Sequence, residues 1–241
     1  MKQKGVTVLR ATSSVRIIAI GDIHGQLDML TRLLHIIKPK STDQFVFLGD
    51  YINRGQDSCG VIDRLIEFRT HYPDTVFIRG NHDQLILDAL VEFGARNDIR
   101  LRDFSEEFRG NSLFSDMEMF LNSGGNKTLQ SYGLRHLADI QQDHVAFLED
   151  TRLWWKHDPF LFVHAGIEKG IQLGLQDPYC LLWGRLSPPG VNGEIHVVGH
   201  NPTVDGDPYF EVGRYHLDTG AVYGQTLTAC DVLTRKIWQV R

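Results

Sequence analysis

Short apolar runs, rich in β-branched and aromatic residues, recur at positions 16–20, 44–48, 75–78, 160–163 and 195–198. Each is short and has no polar alternate face, which predicts strands covered on both sides. Between the early runs the apolar spacing changes to three and four: Leu27, Leu30, Leu33, Leu34 and Ile37, then Val61, Ile62, Leu65, Ile66 and Phe68. That period places one apolar stripe along each of two helices. Strand, loop, helix, strand is the rhythm of an α/β fold. Beyond Tyr215 the stretches 226–230 and 237–240, joined by Gly and short polar turns, predict antiparallel strands. Residues 94–132 interrupt the rhythm with Arg, Asp, Glu, Asn, Ser and Gly, and predict a cap inserted over a site. With no repeat, Pro-rich linker or low-complexity tract, residues 1–241 read as one domain.

Composition narrows the partners. A formal charge of −5 without long runs of like charge gives no bulk attraction to a nucleic acid duplex or an anionic membrane, so any phosphate must be held locally. Cys59, Cys180 and Cys230 are odd in number and widely spaced, which fits neither a disulfide framework nor a zinc knuckle and reads as reduced thiols. The apolar run 17–20 is too short for a signal peptide or a membrane span, which places the expected location in the cytoplasm. Oligomeric state is not legible.

The informative residues stand just beyond the strands. Gly21-Asp22-Ile23-His24-Gly25 follows the first, Gly49-Asp50-Tyr51-Ile52-Asn53-Arg54-Gly55 the second and Gly80-Asn81-His82-Asp83 the third. His164-Ala165-Gly166 follows the fourth and Gly199-His200-Asn201 the fifth. One such Asp or His is ordinarily a helix cap or turn former. Five at the carboxyl ends of strands, where sheets of this class bind ligands, point to a shared site. Nitrogen and oxygen donors without thiolate suit Mn, Fe or Zn, and a carboxylate can bridge two ions.

In this order the motifs resemble the phosphoprotein phosphatase branch of the calcineurin-like metallophosphoesterases, which includes bacterial serine/threonine phosphatases and symmetrical diadenosine tetraphosphatases. Leu181-Leu182-Trp183-Gly184-Arg185, Ser123-Gly124-Gly125 with Thr128-Leu129, and Asp218-Thr219-Gly220-Ala221-Val222-Tyr223-Gly224 extend the similarity. The resemblance implies a central β-sandwich flanked by helices and two divalent ions, Mn²⁺ foremost and Fe or Zn as alternatives. It implies that Asp22 and His24 bind the first ion, that Asp50 bridges both, and that Asn81, His164 and His200 bind the second. His82 would be the general acid, and Arg54 and Arg185 would hold the phosphate oxygens. Tyr223 could close over the phosphate. The implied reaction is hydrolysis by water activated between the ions, on phosphoserine or phosphothreonine in proteins, or alternatively on dinucleoside polyphosphates.

One departure bears on the substrate. Where the protein phosphatases carry a second Asp, this chain has Asn53, and Asp83 replaces the usual Glu; both changes occur together in diadenosine-tetraphosphatase-like members. Asn53 is expected to accept an N–H bond from His82 but brings no charge to favour imidazolium. Simpler roles stand beside the functional ones: Arg54 pairing a surface carboxylate, Arg185 lying along Trp183, and Tyr223 packing with its hydroxyl bonded. Trp154-Trp155 reads as packing, and Gly124-Gly125-Asn126-Lys127-Thr128 lacks the glycines of a phosphate loop.

Overall fold

A computed structural model describes residues 15–92, 115–184 and 193–241. Strands β1 (Ile17–Ile20), β2 (Gln44–Phe47) and β3 (Val76–Phe77) pair in parallel, linked by helices α1 (Leu27–Ile37) and α2 (Ser58–His71). Helix α3 (Asn81–Glu92) follows β3. Two short helices, α4 (Asp116–Phe120) and α5 (Asn126–Ser131), flank a π-turn, and α6 (Gln142–Glu149) leads into the second half. There β4 (Trp154–His157), β5 (Phe160–Val163), α7 (Pro178–Trp183), β6 (Ile195–Val198), β7 (Tyr209–Glu211) and β8 (Arg214–His216) follow. The chain then returns to the first sheet through β9 (Leu227–Asp231) and β10 (Lys236–Val240).

The strands form two five-stranded sheets, ordered β10-β9-β1-β2-β3 and β4-β5-β6-β8-β7. Their near-continuous hydrophobicity has a direct cause, because each central strand is covered on both faces. Ile17, Ala19, Val46 and Leu48 point between the sheets and meet Phe160, Phe162, Val197 and Tyr215. Their neighbours Ile18, Ile20, Phe45 and Phe47 point outward into the apolar stripes of α1, α2 and α3. Leu161, Val163 and Val198 pack on the far side with Ile167 and Leu181. This is the expected sandwich flanked by helices, with each fully buried Leu, Ile or Phe worth roughly 1.5–3 kcal/mol of transfer free energy. The C-terminal strands β9 and β10 are antiparallel, as expected.

Helix α2 starts where Asp57 accepts the Gly60 N–H at 2.8 Å, a side-chain N-cap. Behind the third strand, buried Asp83 accepts backbone N–H groups from Gly80, Asp50 and Tyr51 at 2.8–3.0 Å. One carboxylate thus ties the ends of β2 and β3 to the first turn of α3. The residue that sequence comparison marked only as a departure is a structural clamp. Within the expected cap, residues 94–114 lie outside the described residues. Residues 115–131 lie against the helical layer, with Phe120 buried in its core. Among the described residues, no helix is long and apolar enough to cross a membrane.

Candidate dimetal active site

The carboxyl ends of the two sheets meet, and the loops leaving them interlock. Backbone N–H groups of Ile23 and His24 bond the Asp50 carbonyl, and His200 N–H reaches both carboxylate oxygens of Asp22 at 3.0 and 3.2 Å. His24, Asp50, Asn53, Arg54 and His200 all have φ between 46° and 70°, the left-handed region that side chains other than glycine seldom adopt. Five strained residues within three loops are sustained only by the packing around them, a pattern concentrated at functional sites. Gly80 is needed for a close approach, since a Cβ there would meet Asp50 Oδ1 at 2.1 Å.

Asp50 lies at the centre. One carboxylate oxygen is 3.3 Å from His24 Nε2, the other 3.5 Å from His164 Nε2, and the second also accepts the His82 N–H at 2.9 Å. Asn81 Oδ1 is 3.0 Å from both His164 Nε2 and His200 Nδ1, which are themselves 3.2 Å apart. The predicted ligands therefore do converge. Asp22 joins through His200 and through its repulsion of Asp50. Among the described residues, two sets of donor atoms could hold an ion, one from His24, Asp50 and His82 and one from Asp50, His164 and His200, the atoms of each set lying within 4.8 Å of one another. His82 thus belongs to the first of these groups, although the sequence gave it no ligand role.

The tautomers decide whether cations fit. His24 Nδ1 is 2.8 Å from the Ile52 carbonyl and His164 Nδ1 is 2.8 Å from the Leu48 carbonyl, so both nitrogens carry hydrogen and both Nε2 atoms present lone pairs. The His164 lone pair points at Asp50 and Asn81 oxygens, and that of His24 faces an Asp50 oxygen while it also meets an Arg54 N–H. Acceptors facing acceptors at 3.0–3.5 Å call for a positive charge between them, and an all-N/O donor set suits divalent ions of the Mn, Fe or Zn type. Burial, first, and the charge of Arg54 hold His24 at a pKa of about 3, while burial holds His200 at about 3 and His164 at about 4. At neutral pH all three are therefore neutral ligands, the form a metal requires. Burial likewise pushes Asp50 and Asp218 up to about 7, and burial with repulsion from Asp218 and Asp50 holds Asp22 well above the usual carboxylate range. Asp218 is a buried carboxylate of this site that sequence reasoning noted in a motif but gave no role.

Arg54 is exposed at the rim, with Nη1 3.0 Å from His24 Nε2 and its guanidinium 5.7 Å from the Tyr223 ring, a cation–π contact. It points into the site rather than to a surface carboxylate. Its backbone N–H bonds the Gly124 carbonyl, and Gly124 must be glycine: its φ is 94°, and a Cβ would lie 2.8 Å from Arg54 N. Tyr223 is 58% exposed, so its ring is free to meet a ligand on one side. Arg185 lies outside the described residues.

Asn53 is fully buried and does contact His82, with Nδ2 3.1 Å from His82 Nδ1. The bond runs opposite to the expectation. The Asn53 oxygen accepts the Thr128 hydroxyl at 2.7 Å, which turns the amide nitrogen, a donor only, toward the imidazole.

Comparison with known proteins agrees with this geometry. A Schizosaccharomyces pombe protein assigned as a serine/threonine-protein phosphatase is 41% identical over 71 residues, 29% of this chain and 23% of that protein. A serine/threonine-protein phosphatase of Arabidopsis thaliana is 37% identical over 94 residues, 36% of this chain and 9% of that protein. The chain thus spans less than a quarter of the length of these curated relatives. A crystal structure assigned as a diadenosine tetraphosphatase superposes with a TM-score of 0.64 at 22% identity, covering 95% of this chain and 94% of the other. A serine/threonine phosphatase of Saccharomyces cerevisiae gives 0.58 at 15% identity, covering 91% and 73%. At these identities the superpositions show a shared fold. Residues 15–218 match the calcineurin-like phosphoesterase family, and the chain belongs to it.

Proposed function

We propose that this chain is a metal-dependent phosphatase that hydrolyses phosphate monoesters, foremost phosphoserine and phosphothreonine in proteins. The observation that carries the reading is the convergence of neutral imidazole lone pairs on the buried Asp50 carboxylate beside the Arg54 guanidinium. In this reading Asp22, His24 and Asp50 hold one divalent ion, and Asp50, Asn81, His164 and His200 hold a second, Mn²⁺ being the proposed occupant. Such ions supply Lewis-acid activation of water near neutral pH and neutralise phosphate charge.

The chain's own groups do the remaining work. Arg54 takes two phosphate oxygens through its planar guanidinium, which aligns the group for in-line displacement, and Arg185 supplies a second such contact. Tyr223 braces Arg54 from the solvent side. His82 donates a hydrogen bond from Nε2 to the departing oxygen and, when the ring is protonated, hands over that proton and returns to the neutral form. The identity with serine/threonine phosphatases over 71 and 94 residues supports protein substrates. Three free cysteines support a reducing compartment, the cytoplasm. We place residues 1–241 in one catalytic domain and 94–132 in a cap whose last turns reach Asn53 and Arg54.

A second reading, hydrolysis of dinucleoside polyphosphates, draws on the Asn53 amide. With Nδ2 facing His82 Nδ1, the imidazole is a neutral donor, which suits a leaving group that carries its own negative charge. The deciding experiment compares kcat/KM for a phosphothreonine peptide and for diadenosine tetraphosphate on Mn²⁺-loaded protein. The peptide should be the better substrate; a preference for the tetraphosphate of about tenfold or more would move the assignment to the second reading.

A further inference from the structure

Thr128 lies 75 residues from Asn53 in sequence and is fully buried against it. Its hydroxyl donates to Asn53 Oδ1 at 2.7 Å and accepts the Asn53 backbone N–H at 3.0 Å. Ser58 closes the group, with its Oγ 3.1 Å from both Thr128 Oγ1 and Asn53 N. A hydroxyl has a single hydrogen, and here the Asn53 oxygen takes it. The Asn53 side chain then has one orientation left, with its NH₂ toward His82 Nδ1 at 3.1 Å. An amide NH₂ only donates, so Nδ1 must offer a lone pair and the ring hydrogen must sit on Nε2. That nitrogen faces the site, 4.0 Å from Asp50 Oδ2.

We propose that Thr128 is a positioning residue whose hydroxyl orients the Asn53 amide so that His82 carries its hydrogen on Nε2, facing the leaving oxygen. The inference rests on the reading of His82 as the group nearest that oxygen. It makes the described end of the 94–132 segment part of the machinery: one turn, Ser123 to Thr128, holds Arg54 through the Gly124 carbonyl and His82 through Asn53. The two hydroxyls fix the proton's place without touching substrate. Valine has the shape of threonine without the hydroxyl and leaves the Asn53 oxygen without its donor, so the amide can turn over and offer Oδ1 to the imidazole.

The test uses the full chain with ¹⁵N-labelled histidine, and Thr128→Val and Thr128→Ser variants. Long-range ¹H–¹⁵N correlation on metal-free protein, with His82→Asn identifying the ring, reads the tautomer directly and needs no activity. The wild type and Thr128→Ser should show hydrogen on Nε2, and Thr128→Val should show Nδ1–H in a substantial fraction. In Mn²⁺-loaded protein, Thr128→Val should lower kcat on an alkyl phosphate about tenfold, the rate equivalent of one lost hydrogen bond, with KM unchanged and a smaller loss on an aryl phosphate. Thr128→Ser should restore the rate. Hydrogen on Nδ1 in the wild type would overturn the proposal whatever the fate of the variants. So would a Thr128→Val protein with the wild-type tautomer and the wild-type kcat. Absence of hydrolysis in the wild type would count against the functional reading, while the tautomer would still decide this one.

Discussion

The Asn53 amide nitrogen lies 3.1 Å from Nδ1 of His82, deep in the site, where a carboxylate would instead have accepted that nitrogen's hydrogen. Burial foremost, then the nearby His24 and Arg54, hold the His82 pKa well below its ordinary value, and Asn53 adds no charge to oppose them. Asn53→Asp should stabilise the imidazolium and so raise that pKa. Activity carried by protonated His82 is lost as pH rises through its pKa, so Asn53→Asp should place a falling limb at higher pH than in the wild type, whose His82 donates as the neutral ring. Phosphoserine hydrolysis should gain relative to aryl phosphate. An unchanged limb and an unchanged substrate ratio would show that the 3.1 Å contact has no part in catalysis.

His82 stands beside His24 and Asp50, so its role as donor must be separated from one as ligand. His82→Asn should lower turnover by roughly 10²–10⁴-fold, the usual share of general acid catalysis, and leave bound metal unchanged. The deficit should shrink with aryl leaving groups. Loss of metal along with activity would instead make His82 a ligand.

Asp50 belongs to both donor groups, so Asp50→Asn should cost more than about 100-fold in turnover, beyond the loss of an outer hydrogen-bond partner, and should deplete both ions. Metal-free protein should respond in the opposite direction. Burial raises the folded-state pKa of Asp50 to about 7, so its charge destabilises the fold increasingly from the ordinary carboxylate range up to that pH. Thermal melting of the metal-free variant should therefore exceed wild type at pH 8, with the difference shrinking toward pH 4. A lower melting temperature at pH 8 would contradict the electrostatics described for this site.

Gly124 holds Arg54 through a backbone contact that leaves no room for a side chain. Gly124→Ala should destabilise the fold by about 1–2 kcal/mol, the cost of a left-handed conformation. It should also raise KM for a phosphate ester while kcat changes little, because Arg54 is displaced and the metal ligands are not. An unchanged KM with the expected loss of stability would remove Arg54 from substrate binding.

Much of the site was legible because each central strand is a short apolar run that ends in Gly beside Asp, His or Asn, and parallel pairing carries those ends to one edge. What escaped the sequence depends on contacts between distant segments. Thr128 looks like one more polar residue in a short helix until the fold sets it on Asn53. Asp218 follows a strand, β8, whose buried Arg214 and His216 disguise it as polar chain. Trp154 and Trp155 do pack on the core, but the strand that carries them, β4, is hidden because its second half, Lys156 and His157, is solvent-exposed at a sheet edge. The direction of the Asn53–His82 bond is hidden for the same reason as the role of Thr128: the competing donor comes from a different part of the chain.

Metal dependence is the property from which every catalytic role at this site follows. Phosphate release from an aryl phosphate should be measured on protein stripped by a chelator, with residual metal quantified, and again during titration with Mn²⁺. The converging lone pairs around Asp50 predict negligible turnover in stripped protein and full recovery as about two ions bind per chain. Undiminished turnover in protein verified to be free of metal would contradict it.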